Sequence, residues 1–97
     1  MNVLVTGGAS GLGQAITRKL AVESQIEKLY FTYNNSVDNA RQVEADFNNT
    51  KGIKCDFTNI GQVEELVSQI PAMDLDVLIN NAIVGITNKH FQKTDYT

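Results

Sequence analysis

The segment Thr6-Gly7-Gly8-Ala9-Ser10-Gly11-Leu12-Gly13 constrains the fold more than any other stretch of this chain. It follows a short β-branched run, Val3-Leu4-Val5, and opens a stretch in which Leu12, Ile16 and Leu20 recur at the spacing of one helix face. A strand, a glycine turn and a helix in that order aim the free amides of the helix's first turn out of the end of a sheet, which makes an anion site. Bulk at Cβ would hold an anion off the backbone, and a tight turn needs positive φ, so Gly7, Gly11 and Gly13 have distinct steric roles. No Lys-Ser/Thr pair follows the last glycine, which disfavours a nucleoside triphosphate. Taken alone, the same turn also serves tight packing in α/β proteins that bind nothing.

The rest of the chain repeats the alternation. Leu29, Tyr30, Phe31 and Thr32 form a second β-prone run, the polar Asn34, Asn35 and Ser36 a turn, and Ala40, Val43 and Phe47 a second helix face. Gly52 to Cys55 reads as a third strand. Thr58 is a plausible N-cap for a helix carrying Ile60, Val63, Leu66, Val67 and Ile70, which Pro71 helps to end. Leu75 to Asn80 supplies a fourth strand, whose run Val77-Leu78-Ile79 suits a central strand covered on both faces. Beyond Ala82 the pattern dissolves. The expectation is an α/β chain, with residues 1–97 as one domain without a linker: four parallel strands and three helices, doubly wound, in the order 3-2-1-4. The binding crevice then lies beside strand one.

Composition narrows the partners. A hydrophobic content of 42% over 97 residues supports a core. The net charge of -3, with eight scattered Lys and Arg, gives no basic field for nucleic acid. The single Cys55 cannot form an internal disulfide, and no cluster beside it has metal-ligand spacing, which fits a reducing cytoplasm. The start MNVLVTGGASGLG reads neither as a signal peptide nor as a membrane span, so a soluble cytoplasmic protein is expected.

Three motifs in register carry a family resemblance: Thr-Gly-x-x-x-Gly-x-Gly at Thr6 to Gly13, Cys55-Asp56-Phe57 after strand three, and Asn80-Asn81-Ala82 after strand four. Together they resemble the short-chain dehydrogenase/reductase family over essentially the whole chain, in its compact form; the sugar-nucleotide epimerase subgroup would want glycine at Ser10. The resemblance implies a Rossmann-type NAD(P) site. Gly7 shapes its turn, and backbone at Ser10, Gly11, Leu12 and Gly13 meets the pyrophosphate and nearby ribose. Asp56 accepts from the adenine amino group, Phe57 borders the adenine, Asn80 ties strand four to its neighbours, and Asn81 and Ala82 line the adenosine ribose side. The plainer readings stand beside these: Asp56 as an acid favoured by a helix N-terminus, Asn80 and Asn81 as turn residues. One departure is Ile83, where the family usually has glycine; a β-branched residue there resists positive φ.

An NAD-preferring site usually carries an acid at the end of strand two, and none stands between Glu27 and Asp38. Thr32, Tyr33, Asn34, Asn35 and Ser36 are neutral donors, so Tyr33 joins the site residues and NADP(H) is the preferred cofactor, with NAD the alternative. Against NADP(H), Ser10 replaces the basic residue many NADP-dependent relatives carry, leaving Arg41 as the nearby cation. The family's chemistry uses a Ser, a Tyr and a Lys, the last two four residues apart. Tyr30 and Tyr33 are followed at that spacing by Asn34 and Val37, and Tyr96 stands just before the final Thr97. The expectation is therefore the N-terminal cofactor-binding portion of an oxidoreductase, inactive alone; a noncatalytic dinucleotide-binding or sensor module, or a remnant that binds nothing, are the alternatives. His90 reads as a solvated loop residue and Cys55 as a small core hydrophobe. The apolar edge of strand four is expected to pair with another copy and give a homo-oligomer.

Overall fold

The computed structural model describes residues 1–82. The order is β1 (Asn2–Thr6), α1 (Gly11–Ala21), β2 (Lys28–Tyr33), α2 (Val37–Asp46), β3 (Thr50–Lys54), α3 (Ile60–Met73) and β4 (Val77–Asn80). The four strands form one parallel sheet in the order β3-β2-β1-β4, the doubly wound arrangement expected from the alternation. Val3 pairs with Leu29 on one side and Val77 on the other, which sets β1 inside the described sheet rather than at its edge.

The period-two alternation of strand side chains divides the core between the two faces. On one face Val3, Val5, Leu29, Phe31 and Tyr33 pack with Ala21 of α1 and with Ala40 and Val43 of α2. On the other, Tyr30, Ile53 and Cys55 pack with Leu66 and Met73 of α3. Two helices on one face and the third on the other follow from the crossovers: β1 to β2 and β2 to β3 advance in one direction, and β3 to β4 returns across the sheet. Phe31 and Leu29 are fully buried, each worth about 2–3 kcal/mol of transfer free energy.

Several local expectations give way to tertiary context. Asn59, not Thr58, caps α3, its Oδ1 accepting from the Gln62 amide at 3.1 Å. Thr58 instead donates from its amide and hydroxyl to Asp56 Oδ1, at 2.9 and 2.6 Å. Pro71 lies inside α3 and does not end it; the helix stops at Asp74, a left-handed C-cap with φ 53°. Its last carbonyls are satisfied from β1, because Asn2 Nδ2 donates to the oxygens of Met73 and Asp74 at 2.9 and 3.2 Å. Phe47 falls one residue beyond α2, as its C-cap. Of the expected α1 face, Ile16 and Leu20 pack against the core while Leu12 is 70% exposed, and the buried line of the helix runs beside them through Gly13, Thr17 and Ala21. Among the described residues β4 is an edge strand, with Leu78 59% exposed rather than covered on both faces. Ile83, His90 and Tyr96 lie outside the described residues.

Candidate functional site

At the carboxyl ends of the strands the backbone of the glycine loop is pinned from two sides. On the β2 side, the Gly7 amide donates to Thr32 Oγ1 at 2.8 Å and the Gly8 amide to the Thr32 carbonyl at 3.0 Å. On the β4 side, the buried Thr6 hydroxyl donates to Asn80 Oδ1 at 2.9 Å and accepts from the amides of Asn81 and Ala82 at 2.8 and 3.0 Å. One hydroxyl thus ties β1 to the segment after β4. Sequence motifs alone point to Asn80 for this tie and give Thr6 no role; a hydroxyl at the end of an otherwise apolar strand, which needs partners once buried, is the signal that marks it.

The three motif glycines divide their work. Gly11 has φ +55°, and a Cβ built on it would meet nothing within 4 Å, so its left-handed backbone faces open space. Gly7 also has positive φ, at +67°, beside the backbone of Ala82. Gly13 serves another end: its Cβ would lie 1.9 Å from the Gly7 carbonyl oxygen and 2.5 Å from Asn81 Nδ2. It lets α1 touch its own loop, and Asn81 Nδ2 donates to that same Gly7 oxygen at 3.3 Å. Ser10 is the N-cap of α1 and makes no side-chain cap bond, and the first turn of the helix holds no acid. The free amides there meet no competing carboxylate from α1 itself.

Around this loop opens a cleft of ≈ 870 Å³. Eight of the ten site residues expected from the sequence line it: Gly7, Ser10, Gly11 and Leu12 from the loop, Asp56 and Phe57 after β3, and Asn81 and Ala82 after β4. Two do not. Gly13 is buried in the packing just described, and Tyr33 is 8% exposed, its ring turned into the core beside Phe31 at 6.5 Å between centroids. The Tyr33 hydroxyl accepts from Arg41 at 3.3 Å, and the guanidinium lies 5.8 Å over the ring. The lining also includes Thr32, Asn34, Asn35 and Ser36 from the β2–α2 turn, with Cys55 and Thr58. The two bonds from Thr58 hold the Asp56 carboxyl below the usual carboxylate range, and the Asp56 amide donates to Gln62 Oε1 at 2.8 Å. Asp56 is therefore both an acid leading into α3 and a wall of the cleft, and its Oδ2 has no protein partner among the described residues. Burial pushes the Cys55 thiol up, away from a reactive thiolate. Among the described residues no group of three or more His, Cys, Asp or Glu could hold a metal ion, and no helix is long and apolar enough to cross a membrane.

Comparison with known proteins places this geometry. A tropinone reductase homolog of Arabidopsis thaliana is 30% identical over 101 residues, spanning 100% of this chain and 37% of that protein. A 3-amino-tetrahydro-pyrrolizinone reductase of Xenorhabdus hominickii is 35% identical over 85 residues, covering 84% of this chain and 28% of that protein. Among solved structures, the FolM alternative dihydrofolate reductase of Brucella suis, in complex with NADP, superimposes with a TM-score of 0.69 at 30% identity, over 86% of this chain and 36% of that one. The chain thus spans roughly a third of the length of these relatives. The short chain dehydrogenase family matches residues 1–97 in full, and the chain belongs to that family.

Proposed function

We propose that this chain forms the dinucleotide site of an NAD(P)-dependent oxidoreductase that interconverts a carbonyl and an alcohol, with NADP(H) as the preferred cofactor. The observation that carries the reading is Gly11: a left-handed, sterically open backbone at the start of a helix whose first turn has no acid, at the mouth of a cleft. The loop would hold the pyrophosphate, Asp56 the adenine amino group, and Asn81 and Ala82 the ribose side. The nicotinamide supplies the hydride. NADP(H) is favoured by the neutral β2–α2 turn, where Asn34, Asn35 and Ser36 line the cleft and no carboxylate awaits the ribose hydroxyls. The NADP bound by the Brucella relative agrees with that choice.

The proton that accompanies the hydride is proposed to move on residues outside this chain. Neither described tyrosine suits that role, since Tyr30 packs in the α3-side core and Tyr33 is buried against Arg41. The chain in this reading is the N-terminal cofactor-binding portion of a longer enzyme, inactive alone. Calorimetric titration with NADPH and NADH tests the proposal, with tighter NADPH binding the expected result. Tighter NADH binding would overturn the NADP(H) choice, and no binding of either would overturn the site.

A further inference from the structure

We propose that Lys54, the last residue of β3, supplies the cation for the 2′-phosphate of NADP(H), a role for which the glycine loop offers only Ser10. The inference rests on the dinucleotide reading of the cleft and names the residue that selects between its two cofactors.

Register puts Lys54 in place. It pairs with Tyr33, the last residue of β2, so it stands beside the turn that reads the adenosine ribose in folds of this type. Its Nζ donates to Asn34 Oδ1 at 2.8 Å, and Asn34 lines the cleft together with Asn35 and Ser36. An ammonium has three donors, so two remain for an anion at that wall. The partner is also the right kind: a neutral amide holds the side chain in position without cancelling its charge.

Arg41, the cation expected from sequence, differs on this point. It bonds Glu44 at 2.8 Å, and its guanidinium rests on the Tyr33 ring and hydroxyl. Its charge is therefore balanced by a carboxylate. Lys54 makes no ion pair within 4.0 Å of a carboxylate among the described residues, and the acid its charge acts on is Asp56, whose carboxyl it helps to hold down after the two bonds from Thr58. Neither Asp38, the acid in the first turn of α2, nor Lys54 is itself part of the cleft lining; Lys54 stands in the neighbouring depression over β3 and α3 and reaches the cleft wall through its bond to Asn34. A 2′-phosphate, carrying about -1.5 to -2 charges at neutral pH, would replace a neutral acceptor by a charged one for the uncommitted donors of Lys54, which is the stronger class of bond.

Titration of the protein and of Lys54→Met with NADPH and NADH tests this. Lys54 is exposed, so the substitution leaves the core intact. NADPH binding is expected to weaken about 10-fold to 100-fold, the range of a lost hydrogen bond to a charged group, with NADH binding changed less than about 2-fold. Lys54→Arg should keep most of the preference. Asn34→Asp, which would pair with Lys54 and repel the phosphate, should lose NADPH affinity in the same direction. Unchanged NADPH binding in Lys54→Met, equal loss of both cofactors, or a preference lost in Arg41→Ala and kept in Lys54→Met would each overturn the assignment while leaving the dinucleotide site standing. A wild-type protein that prefers NADH, or binds neither cofactor, would overturn the underlying reading instead.

Discussion

At the scale of single residues, the motif glycines look equivalent in the sequence and are not so in space. Gly13 stands 1.9 Å, at its notional Cβ, from a backbone oxygen that cannot move without unwinding the loop. Gly13→Val should therefore cost about 3 kcal/mol of stability in urea unfolding, as an overpacked contact, before any effect on cofactor. Gly11→Ala keeps the packing, costs about 1–2 kcal/mol for left-handed backbone, and puts a methyl where an anion would approach. Its signature is a folded protein with weakened NADPH binding. Thr6→Val removes a hydroxyl with three partners and leaves two amides unsatisfied. A loss of about 2 kcal/mol or more is expected, and wild-type stability in this variant would show that the hydroxyl is not the tie between β1 and β4.

Elements are joined here by side chains reaching across backbone ends. Asn59→Ala should cost α3 about 1 kcal/mol through its lost cap, whereas Thr58→Ala should cost less and chiefly raise the Asp56 pKa; equal effects would contradict the cap assignment. Between α2 and β3, the Gly52 amide donates to Glu44 Oε2 at 2.8 Å, and this bond, followed by that from Arg41, holds the Glu44 carboxyl below its ordinary value of 4.5. A carboxyl depressed in the folded state adds stability that is present above pH 4.5 and is lost as pH falls through the lower folded value. Asp46 and Asp56, also depressed by their hydrogen bonds, add to the same acid slope. Chemical unfolding of Glu44→Gln from pH 7 to 3 should show a shallower acid loss than wild type, and an unchanged slope would remove Glu44 from the account.

For the molecule as a whole, the asymmetry of the sheet matters most. β1 is paired on both sides, while β4 pairs only with β1 among the described residues and leaves Leu78 59% exposed. Unpaired amides and carbonyls beside an apolar side chain invite another strand. Produced as these 97 residues, the protein is expected to self-associate, and Leu78→Lys should suppress that association in sedimentation velocity. A wild-type monomer at high concentration would refute the expectation.

Local chemistry makes much of this legible in the sequence. Alternating β runs and helix-period stretches specify a parallel sheet, and a glycine turn after the first strand marks where its cleft opens, because periodicity and backbone sterics act over a few residues; the strand order follows only by inference from the doubly wound fold. Eight of ten named site residues line that cleft for the same reason: motif positions sit at strand ends, and strand ends converge. What sequence leaves undecided needs distances between segments far apart in the chain. Thr6 and Asn81 meet only once β4 returns beside β1, Gly13 makes a close contact with Gly7 that no side chain would allow, and Tyr33 turns inward because Phe31 and Arg41 receive it. The same holds for the two cations: Arg41 is paired with Glu44 while Lys54 bonds the neutral Asn34, a distinction that depends on which neutral or acidic group tertiary packing delivers to each.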